Sequence, residues 1–327
     1  MGRYASAVVL LALALGAPPV DAQPAGRPAR IGYIVVATAV EQTHLTRAFE
    51  DGMRELGYVE GRNVVYERRF ADGNAERLPE LAAQLARLDL DVIVTGANPA
   101  ISAVQQATAK TPIVMGTSRD PVGAGYIASY AHPGGNVTGL ASDPSPEVLG
   151  KGLEVFREIV PHARRVALLW NPQPAGAATY RKAAAVAAHR LGIVLDVVEV
   201  RRRSELAGAF DAMTASRVDG VWVLPDPLVF TARTEVVALA AKHRLPAVYW
   251  QREFVDAGGL VSYGSNVAAL FRRAASYVDR ILKGAKPGDL AVEQAAKFEL
   301  VVNLRTAREL GLTVPAAVLL RADDVVQ

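Results

Sequence analysis

Asp91-Val92-Ile93-Val94-Thr95-Gly96-Ala97-Asn98-Pro99-Ala100 reads as a strand that stops at Gly96 and turns directly into a helix. Val92 to Thr95 are all β-branched and leave no polar face, as in strands of parallel sheets covered on both sides. Pro99 falls in the first helical turn, where its missing N–H costs little. Working outward, the same strand–turn–helix unit recurs along the chain. Arg30 to Ala37 and Asn63 to Arg69 are strands, separated by a helix from about Gln42 to Leu56 that stops at Gly57. Leu78, Leu81, Leu85 and Leu88 fall three and four apart on one helical face. Pro99 to Thr108 is the next helix, and Pro112 to Met115 and Asn136 to Leu140 are short strands.

A second series begins near residue 147 with a helix carrying Leu149, Leu153, Phe156 and Val160. Strands are expected at Arg165–Trp170, Ile193–Val200, Gly220–Leu224, Ala247–Tyr249, Leu260–Tyr263 and Phe298–Val302. Helices are expected at Ala177–Leu191, around Leu206 to Met213, at Thr231–His243, around Leu270 to Ile281, and at Leu304–Leu310. Strands alternating with helices predict an α/β chain of two doubly wound parallel-sheet lobes. Such sheets bind ligands outside the carboxyl ends of their strands, so two of them in one chain imply an interlobe cleft.

The first 22 residues read as a signal peptide. Arg3 precedes an apolar run from Ala7 to Leu15, shorter than the ~20 residues that span a bilayer. Gly16-Ala17-Pro18-Pro19 breaks the run, and Val20-Asp21-Ala22 offers a cleavage site after Ala22. Cleavage leaves about 305 of the 327 residues, enough for two domains of ~150 residues. The chain has no cysteine, which removes disulfides, thiolate catalysis and a lipid-modified cysteine. A periplasmic location is expected. The net charge of +3 is scattered, and Arg201-Arg202-Arg203 is the one dense basic run, so nucleic acid is not an expected partner.

Over some 290 residues the chain resembles the bacterial ABC-transporter substrate-binding family that includes tryptophan- and tyrosine-binding importer components. The resemblance rests on Ile31-Gly32-Tyr33, Gly57-Tyr58-Val59-Glu60-Gly61-Arg62-Asn63, Asp120-Pro121-Val122-Gly123-Ala124-Gly125 and Pro133-Gly134-Gly135-Asn136-Val137-Thr138-Gly139. It continues through Ala257-Gly258-Gly259-Leu260-Val261-Ser262-Tyr263-Gly264, Ile281-Leu282-Lys283-Gly284-Ala285-Lys286-Pro287 and Ala322-Asp323-Asp324-Val325-Val326. It implies a type I periplasmic-binding-protein fold, in which three crossing segments hinge two lobes. Here the lobes are expected at 23–145 and 146–265, with 266–327 as a C-terminal segment crossing the hinge and completing both. It also implies an ATP-driven importer, so the expected partners are a small-molecule ligand and the permease and ATPase subunits of that importer.

Eight residues are candidates for ligand contact. The amides of Ala97 to Ala100, at a positive helix end, suit a ligand carboxylate, with Asn98 either beside it or capping the helix. The resemblance implies a small hydroxyl residue where Asn98 stands. Thr117 and Ser118 follow the next strand and can donate to a carboxylate, as can Arg119. Asp120 either contacts ligand or fixes the turn at Pro121. In the second half, Asp226 suits a ligand ammonium, and its flanking Pro225 and Pro227 keep it out of regular structure. Asn171 ends the analogous strand, facing the cleft or capping a turn with Pro172. Tyr249-Trp250-Gln251-Arg252-Glu253-Phe254 offers aromatic rings at another strand end, Tyr249 first, which stack on a ligand or pack in the core.

Enzyme motifs fail on spacing. Gly123 to Ala128 mimics a dinucleotide fingerprint but lies about eight residues beyond its strand. No phosphate-binding loop or nucleophile elbow occurs, and the five histidines lack metal-ligand spacing, so no cofactor is expected. A sensory binding protein serving a membrane receptor is an alternative. So is a hydrolase or racemase using Asp120 and Asp226. A repressor on the same lobes would need a helix-turn-helix before residue 30.

Overall fold

The computed structural model describes residues 27–142, 148–174, 177–295 and 298–327; the expected signal peptide lies outside them. The first sheet is built from β1 (Ala29–Val35), β2 (Val64–Phe70), β3 (Val92–Gly96), β4 (Ile113–Thr117) and β5 (Val137–Ala141). The second is built from β6 (Arg165–Trp170), β7 (Val194–Glu199), β8 (Gly220–Val223), β9 (Ala247–Tyr249) and β10 (Val261–Ser265). β11 (Glu293–Gln294) joins the first sheet, and β12 (Phe298–Asn303) and β13 (Asp324–Val326) join the second. The strand orders are β11-β5-β4-β3-β1-β2 and β13-β12-β10-β9-β8-β6-β7. β2-β1-β3-β4-β5 and β7-β6-β8-β9-β10 are therefore the same winding used twice. Each order reverses once, between β1 and β3 and between β6 and β8.

Alternation along each central strand feeds two apolar layers. Ile31, Tyr33 and Val35 face one layer of the first lobe, and Ile34 and Val36 the other. In the second lobe Val166, Leu168 and Trp170 oppose Ala167 and Leu169. The layers are covered by α1 (Ala39–Glu55), α2 (Leu78–Ala86), α3 (Asn98–Ala107), α4 (Leu149–Ile159), α5 (Ala177–Arg190) and α6 (Leu206–Ala215). Then follow α7 (Pro227–Thr231), α8 (Arg233–Lys242), α9 (Arg252–Asp256), α10 (Val267–Leu282), α11 (Leu304–Glu309) and α12 (Ala316–Leu319). α1 begins three residues before the expected start because Thr38 and Glu41 form a reciprocal capping box.

Two features depart from the sequence reading. The helix expected over Thr231–His243 is α8, and a short helix that the sequence reading did not anticipate, α7, directly precedes it. At their junction the Thr231 hydroxyl bonds the Leu228 carbonyl and the Arg233 guanidinium bonds the Phe230 carbonyl. The second sheet is also not wholly parallel, since β12 runs antiparallel to β10. The chain path requires this reversal. It leaves β10 at Ser265, enters the first lobe as α10, returns along β11 parallel to β5, and re-enters the second lobe from the cleft side.

The lobes are thus joined by three passages of chain, after β5, after β10 and after β11. At the first two, the Ser265 hydroxyl donates to the Ser142 carbonyl, while Ser142 donates through both N–H and hydroxyl to the Ser118 carbonyl. α10 belongs with the first lobe. Its buried face of Leu270, Phe271, Ala274, Ala275 and Val278 packs on α1 and beneath β3 and β4. Glycines permit this approach, for a Cβ on Gly116 would sit 2.6 Å from the Phe271 ring.

Candidate functional site

The carboxyl ends of both sheets meet across one cavity of about 670 Å³, part of it open to solvent. The first lobe contributes the ends of β1 (Val35 to Ala37), β3 (Gly96 to Asn98) and β4 (Thr117 to Arg119), with Gln42 and Leu45 of α1. The second contributes Asp226 and Pro227 after β8, Phe230 and Thr231 of α7, and Trp250 and Gln251 after β9. Val267 and Phe271 of α10 close the base. The site therefore sits at the topological switch point of the first sheet and beside that of the second, where open α/β sheets bind ligands.

Asp226 is the unusual group. It is only 3% exposed. It lies outside regular structure between β8 and α7, as its flanking prolines imply, and its Oδ1 accepts the Val229 N–H at 3.1 Å and caps α7. Pro227 occupies the first helical position, which it favours. Oδ2 is buried and has no hydrogen-bond partner among the described residues. Burial pushes the Asp226 carboxyl above the usual range, against the opposing pull of the Val229 and Leu228 amides, the Arg119 charge and the Asn171 side chain. A buried carboxylate oxygen without a donor is an acceptor held ready for a cation.

Asn98 does not cap the helix. Ala97 is the N-cap residue, at φ +66°, and Asn98 is the first residue of α3. The Asn98 amide instead braces the loop after β4: Nδ2 donates to the Arg119 carbonyl at 2.9 Å, and Oδ1 accepts from the Arg119 N–H at 3.1 Å and the Ser118 hydroxyl at 3.3 Å. The run of amides expected from Ala97 to Ala100 reduces to fewer. The Ala97 N–H donates to Thr117 and the Ala100 N–H to Ala97, while Pro99 has none. The Asn98 N–H is left at the helix end, with Thr117 beside it in the cavity wall.

Three candidates lie outside the lining of this cavity, Asn171 in an adjoining chamber that also reaches Asn98 and Asp226. Asp120 does not line the cavity; at φ +41° its Oδ1 accepts the Gly123 N–H and fixes the turn. Asn171 closes a turn through the Gln173 N–H and lines a larger outer chamber of about 1550 Å³. That chamber runs between Glu41, Asp72 and Glu76 on one lobe and Arg201, Arg202 and Arg203 on the other. Tyr249 is 2% exposed and stacks on Phe254 at 4.7 Å, in the core and away from the cavity. Burial pushes its phenol pKa up. Successive strand residues face opposite ways, so the cavity position falls to Trp250, the next ring of the same aromatic run. Gly264 lets β10 pass there, since a Cβ would overlap the Trp250 carbonyl oxygen.

The lobes also touch outside the cavity. His44 of α1 meets Glu253 of α9 at 2.7 Å, and Glu41 meets Arg233 of α8 at 3.8 Å. Arg119 of the first lobe lies over the Trp250 ring of the second, its Cζ 5.9 Å from the centroid. These contacts cross the cleft and describe a closed arrangement. Among the described residues no group of three His, Cys, Asp or Glu side chains is placed to hold a metal ion.

The family model for ABC transporter substrate binding protein matches residues 33–326. A tyrosine-binding protein of Clostridioides difficile (strain R20291) is 23% identical over 85% of this chain and 81% of its own. A Streptococcus pneumonia ABC domain in complex with L-Trp superposes with a TM-score of 0.85 at 27% identity, covering 91% of this chain and 100% of that one. A conserved domain protein of Vibrio cholerae gives 0.86 at 29% identity over the same shares. These relatives share the two-lobed periplasmic-binding-protein fold described above. By sequence over nearly its whole described length, and by fold, this chain belongs to the ABC transporter substrate binding protein family.

Proposed function

We propose that this chain is the solute-binding component of an ABC importer and that its ligand is a small amino acid-type molecule, an aromatic amino acid first. The observation that carries the reading is Asp226 Oδ2, a buried carboxylate oxygen without a donor in the wall of an interlobe cavity. A ligand ammonium supplies both the charge and the hydrogen bond that this atom lacks. The Asn98 N–H at the start of α3 and the Thr117 hydroxyl suit the carboxylate of the same ligand. The apolar part of the cavity, from Val35 and Leu45 to Phe230 and Phe271, suits an aromatic side chain. The tyrosine and tryptophan named with two relatives fit these three requirements.

On this reading the chain is exported to the periplasm, with a leader removed after Ala22. It closes over its ligand without turning it over, and delivers it to permease and ATPase subunits. The lobes move about the three passages that join them, after β5, β10 and β11. Closure is favoured only by the ligand's greater affinity for the closed state.

Calorimetric titration with amino acids, sugars and simple carboxylates tests the proposal. Aromatic amino acids are expected to bind, and Asp226→Asn to weaken them by about 30-fold or more, the cost of removing one partner of a buried charge pair. A well-folded protein that binds no amino acid, or that converts one to product, overturns it.

A further inference from the structure

Trp250 lines the cavity, is 7% exposed and packs against Phe254 at 4.6 Å. Its Nε1 is buried and has no hydrogen-bond partner among the described residues. An indole N–H donates and never accepts. It is therefore the complement of Asp226 Oδ2, a lone donor where the other is a lone acceptor. The Arg119 guanidinium lies over the face of the same ring. A cation in that position draws electron density from the indole and makes its N–H a better donor. Arg119 comes from the first lobe and Trp250 from the second, so the arrangement is assembled when the cleft closes. In an open cleft water can serve the indole N–H; closure removes that water and leaves the group to whatever the ligand brings.

We propose that Trp250 donates its Nε1–H to a ligand oxygen and selects against ligands that bring no acceptor to that point. The inference rests on the amino acid reading above and extends it by a second polar requirement. A site built to hydrogen-bond a ligand group rejects analogues lacking that group, because its own buried polar atom is then left unpaired. The oxygen is either the ligand's carboxylate or an oxygen on its side chain, and the two are separable by experiment.

Wild type and Trp250→Phe are titrated with L-tyrosine, L-phenylalanine and tyramine. Phenylalanine at 250 keeps an aromatic ring and removes the donor. A general loss of fit weakens all three probes alike and leaves their ratios unchanged. Loss of the donor collapses one ratio by about 10-fold: tyrosine over phenylalanine if a ring oxygen accepts, tyrosine over tyramine if the carboxylate does. Both ratios unchanged overturns the inference while leaving the amino acid reading intact. A wild type that binds none of the three overturns both. A second measurement needs no variant at position 250. Of the three tryptophans, the Trp250 indole proton is expected to move downfield and exchange more slowly in nitrogen-15 spectra when L-tyrosine is added, with Trp170→Phe and Trp222→Phe giving the assignment. A resonance that stays in place under saturating ligand overturns the inference.

Discussion

Asp226 caps α7 with one carboxylate oxygen and leaves the other buried and bare. The first contact stabilises the fold and the second opposes it. Because burial raises its carboxyl pKa, the folded chain holds this proton to higher pH than the unfolded chain does. Folded protein then binds more protons across the window from the ordinary value of 3.8 upward, and the contribution to stability is lost as pH rises through the folded value. Thermal melts of ligand-free protein should therefore show a component of destabilisation on raising pH across this window. Asp226→Asn should remove it and raise the neutral-pH stability by about 1 kcal/mol, while weakening ligand binding. At this scale the sequence was partly legible. An aspartate before proline at a strand end announced both a helix cap and a polar contact, but only the contact was read. Tyr249 and Trp250 are adjacent aromatics whose facing depends on where β9 ends, and a shift of one residue exchanges cavity for core.

At the level of elements, α1 and α10 approach closely because Gly52 has no side chain. A Cβ there would lie 2.6 Å from the Arg272 carbonyl oxygen. Gly52→Ala should push the helices apart and cost about 1–3 kcal/mol, as overpacking does, read as a lower urea midpoint with an unchanged slope. The elements themselves were legible wherever the apolar period was long. Arg165–Trp170 was read with its observed bounds, since five buried residues follow a charged one and end before Asn171. Short pieces were missed. α9 and α12 offer five and four residues, too few for a helical period to register. The direction of β12 was also illegible. Its sequence is that of any buried strand, and its antiparallel pairing follows from the side on which the chain returns.

Over the whole molecule, the lobes meet through a cavity and through side-chain contacts outside it. His44 and Glu253 are in contact only when the cleft is shut. A partly exposed pair of this kind contributes about 0.2–1 kcal/mol, and an equal shift between open and closed states changes apparent affinity by about 1.4–5-fold. His44→Ala should weaken binding of an established ligand by that amount and leave the melting temperature of ligand-free protein unchanged. Small-angle scattering should then report a larger radius at subsaturating ligand. The two-lobed plan was legible because the strand–helix series runs twice in chain order. How far the lobes close was not, since that depends on side chains such as Glu41 and Arg233, far apart in sequence.

The route of α10 bears on the order in which the molecule can be made. α1 buries Phe49 and Met53 in the layer that α10 completes, and both sheets take strands from beyond residue 290. A nascent chain of 265 residues therefore holds two unfinished cores, each with an apolar face still open. Neither half can close by itself as it emerges, and long-range closure of this kind is slow. The segment beyond residue 265 acts as a shared latch: each half keeps an apolar face open until that one stretch arrives, and then both set together.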